Sequence, residues 1–294
     1  MNILLLGTGM QGRAALHDLA RSAAVARVVA ADRDIDALRA HVAERGYGAR
    51  VTCEALDATD KGSIDRLVSG GHDVVIDLLP VPFIETVAAA AVDHGVHLVN
   101  TFYVTPGLRR LADRALAGGV TLLPELGLDP GIDLVLLGEA VRRFDEVTTI
   151  VCYGAGVPEP AAANNPLQYK VSWNFEGVLR SYHRPGRVVR DGVVVEFGET
   201  DQFRPEHIHE VDIEGVGRLE AFPNGDAVQY ARLLGCDESK LTRAGRYALR
   251  YPGHCAFWRT VAGLGLLDDG VVEVDGARVE RRRFLAQALE PRLQ

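Results

Sequence analysis

Three glycines near the amino terminus have the spacing of a phosphate-binding loop. The apolar run Ile3–Leu6 leads directly into the sequence GTGMQG, and helical periodicity follows. In such a loop the first glycine permits a tight turn, the second lets the backbone approach a pyrophosphate, and the third lets the helix pack closely on the strand. The start of a helix also directs amide groups and the positive end of its dipole at phosphates. The loop therefore predicts a dinucleotide site formed by Gly7, Gly9, Met10, Gln11 and Gly12.

An acidic residue stands where the adenosine ribose of a dinucleotide should lie. Asp32 ends a second apolar run, twenty residues after Gly12. Its carboxylate can accept hydrogen bonds from both ribose hydroxyls and would repel a 2′-phosphate, which favours NAD over NADP. The next residue, Arg33, has the opposite effect, since a guanidinium beside the ribose could recruit that phosphate. We expect NAD to be the cofactor, with NADP as the alternative.

The elements that must position these residues alternate between strand and helix through the first half of the chain. Strand patterns cover 2–6, 26–31, 49–54, 73–78, 96–100 and 120–124, and helical patterns cover 10–20, 34–45, 61–69, 82–94 and 105–117. Such alternation indicates right-handed βαβ units in a buried parallel sheet. The fold class predicted for residues 1–128 is therefore α/β, a Rossmann domain with a doubly wound parallel sheet.

The pattern changes at Asp129-Pro130-Gly131, where a second domain is predicted to begin. Asp129 suits the N-cap, and Pro130 the first position, of a helix over 131–143. Strands are predicted at 147–154 and 217–222, a hairpin at 186–197 with its turn at Asp191-Gly192, and helices at 172–182, 226–235, 253–264 and 281–290. Residues 129–294 should therefore form an α+β substrate domain that contains an antiparallel sheet.

Composition and charge argue against several classes of protein. The chain has 294 residues, 47% of them hydrophobic, and a net charge of −8, so nucleic-acid binding is not expected. No run is long enough to span a bilayer or to form a signal peptide, so we expect a cytoplasmic protein without membrane contact. The four cysteines, at positions 53, 152, 236 and 255, lack metal-ligand spacing. Neither a metal site nor a disulfide framework is expected.

Several strings in the chain occur in the same order in one protein family. After the glycine loop come LDATD at 56–60, VIDLLP at 75–80, NTFYVTPG at 100–107, GLDPGID at 127–133, NNPLQYKVSWNFEGV at 164–178, EAFPNGDAVQY at 220–230 and ALRYPGH at 248–254. With these motifs the chain resembles the saccharopine dehydrogenase family, specifically its saccharopine reductases and the related lysine 6-dehydrogenases. The resemblance implies a Rossmann domain and an α+β substrate domain with the nicotinamide between them. It also implies hydride transfer to or from a carbon that bears nitrogen on an amino-acid substrate.

The resemblance assigns roles to particular residues. Asp57 and Ala58 would lie near the adenine, and Leu79 and Pro80 beside the nicotinamide ribose. The residues that align with substrate contacts of the reductases are Phe102, Tyr103, Asp129 and Arg246.

Two departures from the family pattern bear on the substrate. The reductases have arginine within PNRD where this chain has Gly225, and histidine after PGID where it has Leu134. A guanidinium at the first of these positions would hold a substrate carboxylate bidentately. Its loss predicts a smaller or differently charged substrate.

Three side chains are candidates for proton transfer. Oxidation of an amine requires an unprotonated nitrogen, a hydride that leaves toward the nicotinamide, and a group that takes the proton. Asp129 could accept the proton or anchor an ammonium group, with helix capping as its alternative role. Lys170, one of three lysines, could act as a base, with a solvated surface charge as the alternative. Tyr103 could donate its phenol to a substrate or merely anchor a surface.

Three functions stay open at this point. The preferred one is imine reduction or secondary-amine oxidation of the saccharopine dehydrogenase type, and the second is oxidative deamination like that of lysine 6-dehydrogenase. The third is a protein that binds NAD(P) and regulates a partner without turnover. A homodimer formed through the sheet of the second domain is also expected.

Overall fold

The chain divides into two compact units. The computed structural model describes residues 1–293, and the units comprise Met1–Ile132 and Asp133–Gln294. The boundary expected from the sequence, between residues 128 and 129, falls four residues before this division.

The first unit is a six-stranded parallel sheet with helices between successive strands. Its strands are β1 Asn2–Leu6, β2 Arg27–Asp32, β3 Val51–Ala55, β4 Val74–Asp77, β5 His97–Asn100 and β6 Leu122–Leu123. Its helices are α1 Met10–Arg21, α2 Ile35–Arg45, α3 Lys61–Val68, α4 Ile84–Asp93, α5 Pro106–Arg110 and α6 Ala112–Ala117. The strand order is β3-β2-β1-β4-β5-β6, and every pairing is parallel. This order is that of a doubly wound dinucleotide-binding fold, which confirms the prediction.

The apolar strand β1 is buried on both faces of the sheet. Successive side chains of a strand point to opposite faces, so Leu4 and Leu6 pack into one hydrophobic cluster, while Ile3 and Leu5 pack into another. Both clusters require apolar side chains, which explains why the run contains no polar residue. The packing of these side chains thus holds the carboxyl end of β1 in place, and the glycine loop begins there.

Three details of the first half differ from the expectations. The helix predicted over 105–117 is divided into α5 and α6, and the strand predicted over 120–124 is reduced to β6. The helix predicted over 131–143 is α7 Ile132–Val141. Asp129 therefore lies before the N-cap position of α7, and its predicted capping role is wrong.

The second unit combines a mixed sheet with helices. Its strands are β7 Thr149–Ala155, β8 Gly186–Arg190, β9 Val193–Phe197, β10 His209–Ile213, β11 Gly217–Pro223, β12 Arg243–Arg250, β13 Val271–Val274 and β14 Ala277–Glu280. Besides α7, its helices are α8 Phe175–Ser181, α9 Ala227–Leu233, α10 His254–Gly263 and α11 Arg281–Leu289. The main sheet has the antiparallel order β10-β11-β12-β8-β9, and β7 joins it parallel to β12. The α+β fold is confirmed, with β7 as a parallel addition that the sequence analysis did not anticipate.

The hairpin β13–β14 was also not anticipated, although the sequence carries a signal for it. Asp275 and Gly276 form its turn, and both have positive φ, at 50° and 79°. A two-residue turn with positive φ at both positions suits an Asp-Gly pair between strands. The pair could therefore have located this hairpin, as Asp191-Gly192 located the hairpin of β8 and β9.

Aromatic side chains form the largest core of the second unit. The aromatic members of this core that are exposed by 2% or less are Phe175, Tyr182, Phe203, Phe222 and Trp258. The Tyr182 and Trp258 rings lie 5.0 Å apart between centroids. Because Phe175 belongs to α8, Trp258 to α10 and Phe222 to β11, this core anchors both helices to the main sheet.

Candidate functional site

The glycine loop has the backbone geometry that its three glycines predict. Gly7 has a φ of +86°, and a Cβ atom on Gly12 would lie 2.1 Å from the Gly7 carbonyl oxygen, closer than any side chain permits. By contrast, a Cβ atom on Gly9 would meet nothing within 4 Å. Gly7 and Gly12 are therefore required by the fold, whereas Gly9 leaves open space that a phosphate could approach.

The start of α1 is suited to an anion. Gly9 is the N-cap residue and offers no side-chain cap, and the first turn contains no acidic residue. The first amide groups of a helix lack intrahelical acceptors and carry the positive end of the dipole. Met10 and Gln11, the first two residues of the helix, are exposed. The residues present therefore fit the pyrophosphate of a dinucleotide.

Asp32 is tied to the glycine loop. Its Oδ2 atom accepts hydrogen bonds from the Thr8 amide at 2.6 Å and the Thr8 hydroxyl at 3.0 Å, and Oδ1 accepts one from the Asp34 amide at 3.1 Å. Burial acts to raise the pKa of Asp32, but these hydrogen bonds outweigh it and hold the pKa below its usual value. A carboxylate has about four acceptor positions. Asp32 is thus an ionised, oriented group that can still accept a ribose hydroxyl.

The other residues assigned to the cofactor lie at the carboxyl ends of the strands. Asp57 follows β3 and accepts hydrogen bonds from the Thr59 hydroxyl at 2.6 Å and the Thr59 amide at 2.9 Å, which lower its pKa. Ala58 packs against the hydrophobic core. After β4, Leu79 is buried and Pro80 is exposed. Dinucleotides bind at the carboxyl ends of the strands in this fold, and the roles of these residues at the cofactor stay predictions.

The structure brings two predicted catalytic residues together in the first unit. The Tyr103 hydroxyl lies 3.4 Å from Oδ1 of Asp129, at the limit for a hydrogen bond. Their loops are joined by backbone hydrogen bonds, from Glu125 to the Phe102 carbonyl and from Leu126 to the Asn100 carbonyl, each 2.9 Å long. Phe102 packs against the core beside them. A phenol and a carboxylate can therefore act on one substrate group.

Arg246 is buried in the second unit, where it contacts a carboxylate of the same chain. It is 4% exposed and forms an ion pair with Asp133, at the start of α7. Its guanidinium carbon lies 4.2 Å from the centre of the Tyr230 ring. Asp133 was not singled out in the sequence, because nothing local marks it as the partner of a residue on β12. The predicted contact between Arg246 and a substrate stays a prediction.

Lys170 lies in a loop that an asparagine organises. Oδ1 of Asn165 accepts hydrogen bonds from the amides of Leu167 and Tyr169, and Nδ2 donates to the Tyr169 carbonyl at 2.6 Å. The Tyr169 ring is buried, while Lys170 is half-buried. The loop thus holds the lysine in a defined place between a buried tyrosine and the buried Val171.

The guanidinium of Arg184 occupies the space beside Gly225. A Cβ atom at residue 225 would lie 3.6–3.8 Å from atoms of that guanidinium, and Gly225 has a φ of +83°. Arg184 also donates a hydrogen bond to the side-chain oxygen of Asn224. Arg184 was not among the predicted site residues, since it lies outside the motifs shared with the family. The guanidinium of Arg184 therefore places a positive charge beside residue 225, where this chain has glycine and the PNRD motif has arginine.

The described part of the chain contains neither a candidate metal cluster nor a membrane-spanning helix. Among residues 1–293, His, Cys, Asp and Glu side chains form no group of three or more that could hold a metal ion. Across the same residues, every helix is too short or too polar to cross a membrane.

Comparison with known proteins places both units in one family. The model described as the saccharopine dehydrogenase NADP binding domain matches residues 3–123, and that of the saccharopine dehydrogenase C-terminal domain matches residues 127–294. A saccharopine dehydrogenase [NADP(+), L-glutamate-forming] of Saccharomyces cerevisiae is 29% identical over 298 residues, covering 98% of this chain and 63% of that protein. An alpha-aminoadipic semialdehyde synthase of Arabidopsis thaliana is 34% identical over 240 residues, covering 80% of this chain and 22% of that protein.

A solved structure agrees with these matches. Apo saccharopine dehydrogenase (L-Glu forming) from Saccharomyces cerevisiae superposes with a TM-score of 0.77 at 28% identity, over 92% of this chain and 60% of that one. The chain therefore spans less than two thirds of the length of these relatives. Since the C-terminal domain model alone matches more than half of the residues, the chain belongs to the saccharopine dehydrogenase family.

Proposed function

We propose that this chain is an NAD(P)-dependent oxidoreductase that acts on a C–N bond of an amino-acid substrate, by imine reduction or secondary-amine oxidation. The main support is the match across both units to a relative named as a saccharopine dehydrogenase. The intact glycine loop adds support, because Gly9 leaves space for a phosphate. When bound, the nicotinamide would exchange a hydride with the carbon that bears nitrogen.

The residues of this chain would bind the substrate and handle its proton. Asp129 is exposed and in reach of the Tyr103 hydroxyl, so this pair can hold an ammonium group or take its proton. Lys170 is the second candidate for the base. A general base must lie within hydrogen-bond reach of the proton that it abstracts, and the position of both residues in loops held by hydrogen bonds supports such a role.

The direct test is to follow absorbance of the reduced nicotinamide with a panel of substrates. Saccharopine, lysine, and mixtures of lysine with 2-oxo acids would each be offered with NAD or NADP and their reduced forms. Turnover of saccharopine or of an amine and oxo-acid mixture is the expected result. Turnover of lysine alone would instead indicate oxidative deamination, which the glycine at position 225 favours as the second candidate. Tight dinucleotide binding without any turnover would contradict an enzyme and indicate a regulatory protein.

We further propose that NAD is the preferred cofactor, although the yeast relative is named for NADP(+). The ionised Asp32 carboxylate would repel a 2′-phosphate. Asp32→Ala should therefore shift the ratio of kcat/KM values for NAD and NADP toward NADP, by about tenfold if one charge–charge contact of about 1.4 kcal/mol is removed. Asp36→Ala, at an exposed carboxylate on α2, is the matched control. An unchanged ratio in the Asp32 variant would show that Arg33 or another residue sets the preference.

Arg184 is proposed to bind a substrate carboxylate from its place beside Gly225. A charge-assisted hydrogen bond is worth about 1.5–3 kcal/mol, so Arg184→Gln should raise KM for the amino-acid substrate by roughly 10–100-fold with kcat within about twofold. Arg184→Lys should recover part of the loss, because the charge remains but the bidentate geometry does not. Arg180→Gln, at an exposed arginine paired with Glu176, controls for loss of surface charge. Equal KM values in all variants would exclude the role.

We also propose a cytoplasmic homodimer. The four cysteines are free thiols, which agrees with a reducing compartment. Strand β9 is an edge of the main sheet, and it exposes Val193 by 63% and Val194 by 47%. Edge strands that expose apolar side chains tend to pair with another strand. Light scattering of the purified protein would measure the mass, and a monomer at micromolar concentration would contradict the dimer.

A further inference from the structure

Two buried polar side chains stand next to each other at the carboxyl ends of β4 and β5. Asp77 and Asn100 are the last residues of these strands and are partners in the parallel register. Both are 0% exposed. Charged and amide side chains are rarely buried to this extent unless they are satisfied or functional.

Each of these side chains holds the first turn of the loop that follows it. Oδ1 of Asp77 accepts a hydrogen bond from the Leu79 amide at 3.0 Å, and Oδ1 of Asn100 accepts one from the Phe102 amide at 3.1 Å. In both loops, therefore, a side-chain oxygen accepts a hydrogen bond from the amide two residues later, at the same level of the sheet. They carry the residues proposed to meet the nicotinamide ribose, at 79–80, and the substrate, at 102–103.

The second polar atom of each side chain lowers the stability of the folded state. Oδ2 of Asp77 and Nδ2 of Asn100 are buried and have no hydrogen-bond partner among residues 1–293. A buried polar atom without a partner costs free energy that an apolar side chain would not. Sites where a sequence accepts such a cost are commonly functional.

We propose that Asp77 and Asn100 are positioning residues for the dinucleotide and substrate loops, and that the charge of Asp77 biases the site between the oxidised and reduced cofactor. This rests on the proposed function, because it requires the loop at 79–80 to meet the nicotinamide. A carboxylate behind that loop stabilises the cationic ring of the oxidised form, whereas a neutral carboxylic acid does not.

The surroundings of Asp77 allow its charge to change near neutrality. Burial raises its pKa to about 7, and the hydrogen bond from Leu79 acts in the opposite direction. Its neighbours in register are Leu6 on β1 and Asn100 on β5, neither of which ionises. No charged side chain among residues 1–293 contributes appreciably to the shift. The protonation state of the Asp77 carboxyl therefore changes around neutral pH.

The test measures binding rather than turnover, with NAD and NADH titrated separately into the protein at pH 6 and pH 8. In the wild type, the dissociation constant of NADH divided by that of NAD should rise by about threefold to tenfold between these values. Asp77→Asn keeps the oxygen that accepts from Leu79 and removes the titration, so its ratio should stay constant. Asp73→Asn, at the exposed residue that precedes the same strand, should behave as the wild type.

The positioning role has its own variants. Asp77→Ala and Asn100→Ala lose the acceptors of the two loop amides, so Asp77→Ala should weaken binding of both cofactor forms by about tenfold, and Asn100→Ala should raise substrate KM more than it lowers kcat. If either variant fails to fold, Asp77→Asn still decides the charge effect. A wild-type ratio independent of pH, or one shared with Asp77→Asn, would overturn the inference. Failure of the wild type to bind any dinucleotide would instead overturn the proposed function.

Discussion

Replacement of Lys170 or Asp129 by alanine should lower kcat by about 10²–10⁴-fold, the usual effect of removing a general acid or base. Dinucleotide affinity should change far less, because neither residue belongs to the glycine loop. Steady-state kinetics give kcat, and titration of the cofactor gives the affinity. The residue that carries the proton should be the one whose loss also removes a limb of the pH–rate profile.

Matched variants separate proton transfer from simple loss of structure. Asp129→Asn keeps an oxygen that can accept from Tyr103 at 3.4 Å but cannot take a proton, so it should lose activity as the alanine variant does. Lys240→Ala removes another of the three lysines, one that pairs with Glu146, and should leave kcat unchanged. Full activity in either the Lys170 or the Asp129 alanine variant would reduce that residue to a structural role.

Replacement of Asp133 by alanine should destabilise the second unit by about 3–5 kcal/mol, because it leaves the guanidinium of Arg246 buried without this carboxylate. The side chains are only 5% exposed for Arg246 and 10% for Asp133, so water cannot replace the lost partner. Urea denaturation measures the change as a lower midpoint at constant slope.

The double variant Asp133→Leu with Arg246→Met tests the explanation. Replacing both members of a buried pair by apolar residues of similar volume is often neutral or stabilising, so the double variant should be much more stable than Asp133→Ala. Glu139→Ala, which breaks exposed pairs with Arg142 and Arg143, should change stability little. If Asp133→Ala unfolds at the wild-type midpoint, the pair is not a structural element. If the folded double variant has an elevated substrate KM, the predicted contact of Arg246 with substrate gains support.

Much of the first unit could be predicted from sequence because its rules are local. The run Ile3–Leu6 of β1 had to be apolar since its residues alternate between two buried clusters, and Gly12 had to be glycine since any side chain would meet the Gly7 carbonyl. The second unit was harder, because its strands pair across long separations. β7 joins β12 in parallel, and neither strand contains a signal for that direction.

The dinucleotide-binding fold, the glycine loop, the acidic residue at the end of β2 and the family could all be recognised from the amino-acid sequence alone. These depend on periodicity, on φ and on spacings within about thirty residues, which the chain carries locally. Which polar groups contact one another became known from the three-dimensional fold. It joined Tyr103 to Asp129 and Arg246 to Asp133, which are 26 and 113 residues apart, and it set Asp77 beside Asn100. Such contacts follow from strand register and from burial. The electrostatic energy of an ion pair or of a buried acid becomes large only where the fold excludes water around it.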